Sequence, residues 1–357
     1  MRRLDRIRVL LGVLLLAACT EGPAPGAGQG AALATPAPTR GLDSALVAEV
    51  QARAATLPRL HSLLIARHGA LLHERYYQGR SADRRANIKS ASKSIIATLV
   101  GIAIAEGHLE GLDQPIAPFF PQHAAAADSM LRHVTLGHLL SMQAGLEPTS
   151  FGNYGEWVSS GNWVRYALTR PFVDRPGGRM LYSTGSTHLL SAILTRATGT
   201  STLEYARRTL MRPLGIELPG WTRDPQGIFF GGNEMALRPR ELLRFGELYR
   251  NGGRHEGAQL IPAAWIAESW VPRTTSPFNG YGYGRGWWIR RSGERAVFFA
   301  WGYGGQYLFI VPELELTVVM TSDATAAREG SHNRALHALL DVLVRAAERG
   351  GEASADA

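Results

Sequence analysis

Two lysines lie four positions apart in a chain that otherwise relies on arginine for its basic residues. Lys89 and Lys93 are the only lysines among 38 basic residues, and both lie in the segment IKSASKS with Ser90 between them. Residues three apart share one face of a helix, so Ser90 and Lys93 would place a hydroxyl beside an amine. Arginine stays charged, whereas a lysine buried among apolar residues loses proton affinity and can act as a base. The spacing predicts Ser90 as a nucleophile and Lys93 as its proton acceptor.

The same segment also has a purely structural interpretation. Ser90 would cap the apolar helix that follows it, and Lys93 would extend from the helix end towards solvent. Such a pair arises by chance in on the order of one protein in ten. The scarcity of lysine elsewhere favours the catalytic interpretation, because a role that needs only positive charge would be filled by arginine in this chain.

Two later segments contain further groups suited to chemistry. Tyr182 precedes an apolar helix, and its phenol would relay a proton between nucleophile and leaving group; the alternative is a buried core tyrosine. The segment WGYGGQ, residues 301–306, places three glycines in four positions directly before a strand. Glycines there allow the strand edge to approach a substrate closely, with backbone N–H groups pointing inward; the alternative is a tight turn.

Other kinds of chemistry find little support in the sequence. The eleven histidines are scattered singly, with no HExxH, HxH or Cys/His cluster, so we expect no metal and no organic cofactor. GxSxG is missing, and nucleotide-binding glycine motifs do not occur in usable contexts. The net charge is +8, but the sequence contains no run of Lys or Arg with interleaved aromatic residues, so nucleic acid is not an expected partner.

The N-terminus has the features of a secretory signal. Four arginines precede an apolar run from Val9 to Ala18, which is too short to span a bilayer, and Cys19 follows as the only cysteine of the protein. The pattern resembles a bacterial lipobox, so residues 1–19 are predicted to be a lipoprotein signal with Cys19 acylated. Thr20 after the cysteine favours the outer membrane, facing the periplasm. An ordinary signal peptide with an incidental cysteine is the alternative.

The order of predicted elements suggests one sheet-based lobe with a helical insertion. After a Pro/Ala/Gly tether (20–40), a catalytic domain (41–348) would combine a sheet lobe (41–95 and 246–348) with a helical lobe (96–245), before a disordered tail (349–357). The periodicity predicts helices over 42–56, 90–105 and 333–348. It predicts strands over 62–66, 71–77, 281–289, 296–300, 306–311 and 316–321.

In the order and spacing of these motifs, the chain resembles the serine β-lactamase and penicillin-binding-protein-like hydrolases. The resemblance is to the class C branch, near family VIII carboxylesterases and nylon-oligomer (6-aminohexanoate-dimer) hydrolases, and it covers about residues 42–348. It implies a β-lactamase/transpeptidase-like fold, α/β plus all-α, with an antiparallel sheet flanked by N- and C-terminal helices. It also implies that Ser90 is acylated, Lys93 accepts its proton, and Tyr182 assists the leaving group. The N–H groups of Ser90 and Tyr303 would form the oxyanion hole.

Departures from the β-lactamase pattern concern the substrate more than the mechanism. Thr184 stands where β-lactamases of this branch have Asn, and a hydroxyl cannot replace both functions of an amide. The Lys-Thr-Gly motif is absent, so the usual cation for a substrate carboxylate is missing unless Arg334 replaces it. Both changes resemble the esterase and nylon-oligomer members. The expected substrate contacts are Thr184, Trp301, Gly302, Gly304, Tyr154 and Trp157. For the three aromatic residues, packing in the core is the alternative.

The sequence thus predicts a lipid-anchored, monomeric serine hydrolase that cleaves esters or small amides through an acyl-enzyme on Ser90. A cell-wall DD-peptidase or weak β-lactamase is the alternative within the fold. A non-catalytic binding protein that kept the fold is the alternative outside catalysis. The expected partner is a small-molecule substrate, and the expected membrane contact is the lipid anchor alone. Whether Lys93 or Tyr182 is the working base stays open at this point.

Overall fold

The computed structural model describes residues 41–124, 129–326 and 330–355. The predicted signal peptide with Cys19 and the predicted tether lie outside the described residues. In the described ranges, no helix combines the length and hydrophobicity needed to cross a membrane.

Eleven α-helices occur in the described ranges. They are α1 (Ser44–Ala55), α2 (Ser92–Ala105), α3 (Pro121–Ala124), α4 (Leu136–Leu140), α5 (Tyr154–Ser159), α6 (Trp163–Leu168), α7 (Thr184–Thr198), α8 (Thr202–Ala206), α9 (Pro239–Arg250), α10 (Ala263–Ser269) and α11 (Gly330–Ala355). A 3₁₀ turn, Lys89–Ala91, leads directly into α2.

The same ranges contain twelve strands. They are β1 (Leu60–Arg67), β2 (Ala70–Tyr76), β3 (Ala86–Asn87), β4 (Ala236–Leu237), β5 (Arg254–His255), β6 (Ala258–Gln259), β7 (Thr274–Thr275), β8 (Gly282–Tyr283), β9 (Trp288–Ser292), β10 (Arg295–Gly302), β11 (Gln306–Val311) and β12 (Leu316–Ser322). Eight of them form one antiparallel sheet in the order β2-β1-β12-β11-β10-β9-β8-β7. The N-terminal hairpin therefore joins the C-terminal strands in one antiparallel sheet, which confirms the predicted fold class.

Alternate residues of the central strands face two separate hydrophobic clusters. In β1, Leu63 and Ile65 belong to the cluster that contains residues of α1 and α11, while Leu64 and Ala66 belong to the cluster containing residues of α2 and α9. This two-residue period is the one expected of a strand covered on both faces. The sheet is thus sandwiched between the terminal helices and the helices that lead into the helical lobe, as the predicted fold requires.

Helix α2 is the element that connects the two lobes. Its residues from Ser92 to Ala103 are all buried, and the largely apolar segment IIATLVGIAIA (95–105) predicts most of this burial. It packs against α7 of the helical lobe and β10 of the sheet. Gly101 also lets Trp265 of α10 pack closely against the helix, because a Cβ there would lie 2.2 Å from the Trp265 ring. The helix that carries Lys93 is therefore packed against elements of both lobes.

The structure corrects three element boundaries. The last helix extends to Ala355, so the predicted tail from residue 349 is largely helical. α9 packs on β11 and β12, so the predicted lobe boundary at 245/246 falls inside a helix of the sheet lobe. The predicted strand 281–289 is two strands, because the chain between them turns at Gly286 (φ +80°), whose carbonyl accepts a hydrogen bond from Ser94 Oγ at 2.7 Å.

Candidate active site

Ser90 and Lys93 lie side by side where the 3₁₀ turn enters α2. Lys93 Nζ is 3.1 Å from Ser90 Oγ, 3.1 Å from Thr184 Oγ1 and 2.7 Å from the carbonyl oxygen of Gly232. The Lys93 side chain is only 1% exposed. Desolvation by this burial lowers the pKa of Lys93 to about 7. An amine in hydrogen-bond contact with a serine hydroxyl is therefore partly unprotonated near neutral pH.

Tyr182, which lies two residues before the start of α7, completes the cluster. It lines the same cavity as Ser90, and Lys93 Nζ lies 5.3 Å from the centre of its ring. The ring stacks on Trp288 at 5.6 Å between centroids. Burial raises the pKa of Tyr182 to about 12, so the phenol keeps its proton at neutral pH. The structure thus brings the three predicted catalytic residues together.

The amine is held in place by two chain segments of the helical lobe. Thr184 receives a hydrogen bond from Lys93, and the Thr184 hydroxyl and backbone N–H both contact Ser150 Oγ, at 2.8 Å and 2.7 Å. Gly232 lies at φ +85°, and a Cβ there would be 2.7 Å from Lys93 Cγ and 2.4 Å from Thr187 Oγ1. Only glycine lets this carbonyl reach the lysine, which explains the Gly-Gly pair at 231–232.

The end of β10 lies against the segment that precedes Ser90. A Cβ on Gly302 would be 2.1 Å from the carbonyl oxygen of Ile88, so the two backbones touch. The next residue, Tyr303, is 42% exposed and lines the same cavity as Ser90. Gln306 is fully buried and its amide nitrogen donates to the carbonyls of Ser322 (2.7 Å) and Tyr303 (3.5 Å). This network fixes the turn between β10 and β11 beside Ser90.

A cavity of about 660 Å³ gives access to this cluster. Eight of the predicted site residues line it, namely Ser90, Tyr154, Tyr182, Thr184, Trp301, Gly302, Tyr303 and Gly304. Lys89, the other lysine of the chain, lines it too. Further lining residues that the sequence did not single out include Arg59, Ser150, Phe151, Asn233, Glu234, Phe278, Trp288 and Asn333. The cavity therefore combines an aromatic wall beside Tyr182 with several polar groups.

Two predicted contacts are not at the cavity. Trp157 is fully buried, donates its indole N–H to the Trp163 carbonyl at 3.0 Å and packs on Phe230, so the core alternative holds for it. Tyr154, on the same helix, lines the cavity and packs on Trp157 at 5.9 Å. Arg334 is exposed on α11 and is not among the lining residues, so it does not supply the missing cation.

An ion pair in the cavity wall accounts for the second lysine. Lys89 Nζ lies 2.9 Å from Glu234 Oε1, and the other oxygen of Glu234 accepts from Asn87 Nδ2 at 2.7 Å. Asn87 Oδ1 in turn accepts from the Lys89 backbone N–H at 3.0 Å. Lys89 itself adopts φ +50°, a left-handed conformation that is costly for a side chain other than glycine. The network clamps a strained residue directly before Ser90. In the sequence, the scarcity of lysine pointed to Lys89, whereas no sequence pattern pointed to Glu234.

Lys89→Met should lower kcat about tenfold while changing KM for a neutral ester less than twofold. Without the ion pair, the turn relaxes from φ +50° and Ser90 loses its alignment with Lys93. Lys89→Arg should retain most activity, and Glu234→Gln should match the methionine variant. Steady-state kinetics of the three variants check this. Equal activity in Lys89→Met and the wild type would exclude a positioning role.

Comparisons with known proteins agree with this geometry. The beta-lactamase family model matches residues 58–341, about four fifths of the chain, and the protein therefore belongs to the beta-lactamase family. It is 26% identical over 288 residues to the 6-aminohexanoate-dimer hydrolase of Paenarthrobacter ureafaciens, which covers 73% of this chain and 72% of that protein.

Solved structures with the same fold include members with different activities. A putative 6-aminohexanoate-dimer hydrolase from Bacillus anthracis superposes with a TM-score of 0.68 at 19% identity, covering 82% of this chain and 79% of the other. A family VIII carboxylesterase superposes with a TM-score of 0.67 at 18% identity, covering 85% and 98%. The protein is thus a hydrolase of the serine β-lactamase type, whose relatives include amide and ester hydrolases.

Among the described residues, no three His, Cys, Asp or Glu side chains group as a metal site would require.

Proposed function

We propose that the protein cleaves carboxylic esters or small amides through an acyl-enzyme intermediate on Ser90. The observation that carries the proposal is the 3.1 Å contact between Ser90 Oγ and the buried Lys93 amine, whose pKa is lowered to about 7. A lysine with an ordinary pKa would be protonated at neutral pH and unable to accept the serine proton.

In the proposed acylation step, the neutral Lys93 amine accepts the Ser90 hydroxyl proton as Oγ attacks the substrate carbonyl carbon. The backbone N–H groups of Ser90 and Tyr303 stabilise the resulting oxyanion. Tyr182 then donates its phenolic proton to the departing alcohol or amine, and the Lys93 ammonium returns a proton to Tyr182. Because the pKa of Tyr182 is raised to about 12, Tyr182 starts as a donor and Lys93 is the base.

In deacylation the same groups work in the reverse direction. A water molecule loses a proton through Tyr182 to Lys93 and attacks the acyl carbon. The bond between the acyl carbon and Ser90 Oγ breaks, and Ser90 Oγ recovers its proton from Lys93. The acid product leaves and the initial protonation states are restored, so no further reactant is needed.

The choice of esters and small amides over β-lactams follows from the wall around Lys93. The Thr184 hydroxyl contacts Lys93 and Ser150, which leaves it little capacity to bind a substrate's acylamino chain as an amide would. The names of the amide- and ester-cleaving relatives point in the same direction. The alternative function, against which the proposal is tested, is that of a DD-peptidase or a weak β-lactamase.

The test compares turnover of p-nitrophenyl butyrate and nitrocefin by the purified protein and by Ser90→Ala. We expect rapid ester cleavage, little lactam cleavage, and loss of both in Ser90→Ala. Mass spectrometry of the acid-quenched enzyme should show an acyl adduct on the peptide containing Ser90. A stable lactam adduct with slow ester cleavage would instead assign the protein to cell-wall chemistry. Equal activity in Ser90→Ala would refute the mechanism.

We also propose that Cys19 is acylated and anchors the protein to the outer membrane on its periplasmic side. The support is the position of the single cysteine after a basic and apolar leader, with Thr20 next. In a Gram-negative host, the wild type should incorporate radiolabelled palmitate and sediment with the outer membrane. Cys19→Ser should lose the label. Labelling of the wild type equal to that of Cys19→Ser would show that no acylation occurs at this residue.

A further inference from the structure

Exposed large apolar side chains concentrate at the rim of the candidate active site. In the described part of the chain, five large hydrophobic residues are exposed: Phe151 (45%), Val173 (44%), Val271 (41%), Phe278 (69%) and Tyr303 (42%). The three aromatic ones all line the cavity that contains Ser90, and the two valines do not. Apolar groups that stay exposed together around a cavity are typical of a binding site.

Phe151 and Phe278 approach each other from opposite lobes. Phe151 lies in the helical lobe between α4 and α5, and Phe278 lies in the sheet lobe between β7 and β8. Their ring centroids are 5.4 Å apart with an interplanar angle of 52°. Aromatic pairs at this separation attract each other, yet both rings remain largely open to solvent. The pair therefore bridges the rim of the cavity without joining either hydrophobic cluster.

The two rings are held on short, hydrogen-bonded segments rather than by core packing. In the turn that carries Phe278, the Phe278 N–H donates to Ser276 Oγ at 3.2 Å and the Gly280 N–H donates to the Ser276 carbonyl at 3.0 Å. Ser276 itself is 2% exposed and anchors the turn. Phe151 directly follows Ser150, whose hydroxyl contacts Thr184 beside Lys93. Both rings are thus placed at fixed positions relative to the catalytic cluster.

We propose that Phe151 and Phe278 form an aromatic clamp for an apolar arm of the substrate, an aryl ring or a chain of several methylenes. The proposal rests on the proposed function, since the arm must extend from a carbonyl group at Ser90 to the rim. An arm that packs against the exposed faces of the paired rings removes apolar surface from water, which favours binding by about fourfold for each buried methylene. The substrate is therefore an ester or amide with one extended apolar arm.

The test follows hydrolysis of three esters by pH-stat titration: ethyl acetate, ethyl phenylbutyrate and phenylbutyl acetate. The last two carry the aryl arm on the acyl side and on the alcohol side. In Phe278→Ala and Phe151→Ala, kcat/KM should fall about tenfold for one of the arm-bearing esters and less than twofold for ethyl acetate. Equal losses for all three esters, or no loss for either arm-bearing ester, would overturn the clamp.

Val271→Ala is the matched control, because Val271 is similarly exposed but lies outside the cavity. We expect it to leave all three rates unchanged. Calorimetric titration of phenylbutyrate and, separately, phenylbutanol into Ser90→Ala provides a readout that needs no turnover. Addition of Phe278→Ala should weaken binding of one of these ligands about tenfold. Loss of this effect with intact Ser90-dependent cleavage refutes only the clamp, whereas Ser90-independent cleavage refutes the proposed function.

Discussion

Lys93→Met is expected to lower kcat/KM for p-nitrophenyl butyrate at least a thousandfold. The variant keeps the volume and shape of the buried side chain but removes the group that lies 3.1 Å from Ser90 Oγ. Without a base, Ser90 must attack the substrate carbonyl as a neutral hydroxyl, and removing either the nucleophile or its base usually costs most of the rate enhancement. Steady-state kinetics on the folded variant measure the loss.

Lys89 provides a matched control for this experiment. It is the other lysine of the chain, it lies four residues away, and the same substitution there should cost only about tenfold. Comparable losses in Lys93→Met and Lys89→Met would contradict the assignment of Lys93 as the base. Lys93→Arg should be as inactive as Lys93→Met, because arginine keeps its proton.

The pH dependence of activity provides a second expectation from the same residue. Because burial lowers the pKa of Lys93 to about 7, the free amine forms as the pH rises through neutrality. We expect kcat/KM to increase with pH, with a midpoint near 7, and to level off above about pH 8. Tyr182, with a pKa raised to about 12, stays protonated over this range and adds no falling limb. A rate that falls as the pH rises through 7 would contradict the assignment.

Stability should follow pH with a sign set by the same shift. In the unfolded chain Lys93 keeps its proton up to its ordinary pKa of 10.5, whereas in the folded protein it loses it at about 7. Between these values the unfolded state binds more protons, so the contribution of Lys93 to the free energy of unfolding increases with pH. Lys93→Met should remove this contribution, which denaturant titrations of both proteins at several pH values would detect.

Part of the reactive cluster was predictable from the sequence because two of its residues are close together in the chain. Ser90 and Lys93 are three residues apart at the start of one apolar helix, and their relation follows from helix geometry alone. The apolar strand segments likewise predicted the sheet, since strands covered on both faces are apolar along their whole length. The predicted strand 281–289 failed at Gly286, where the backbone turns to meet Ser94 on a helix far away in the sequence.

The wall of the cavity was less predictable because it depends on contacts between distant segments. Tyr154 and Trp157 are both aromatic residues on α5, and no sequence pattern shows that one lines the cavity while the other is in the core. Glu234 approaches Lys89 across 145 positions of sequence. Phe278 lies in an exposed turn with no periodicity of its own. Such residues follow from the packing of the lobes, not from local patterns.

Gly302→Ala is expected to reduce kcat by about a hundredfold, the loss typical for one oxyanion-hole donor. The new methyl group would lie 2.1 Å from the Ile88 carbonyl oxygen, a backbone atom that cannot rotate away. Either β10 or the segment before Ser90 must therefore move, and the N–H groups of Tyr303 and Ser90 separate. KM should change little, because the cavity wall beyond β10 keeps its shape. Steady-state kinetics that compare the change in kcat with the change in KM check this prediction.

Gly282→Ala distinguishes this displacement from a general loss of sheet stability. Gly282 is also a strand glycine of the same sheet, but the atoms nearest to a Cβ there lie at 3.5 Å, an ordinary contact distance. We expect that variant to retain wild-type kcat. Thermal unfolding of Gly302→Ala should still be cooperative, with a lowered Tm, since overpacking typically costs about 1–3 kcal/mol. A folded Gly302→Ala enzyme with wild-type kcat would show that the Tyr303 N–H does not contribute to the oxyanion hole.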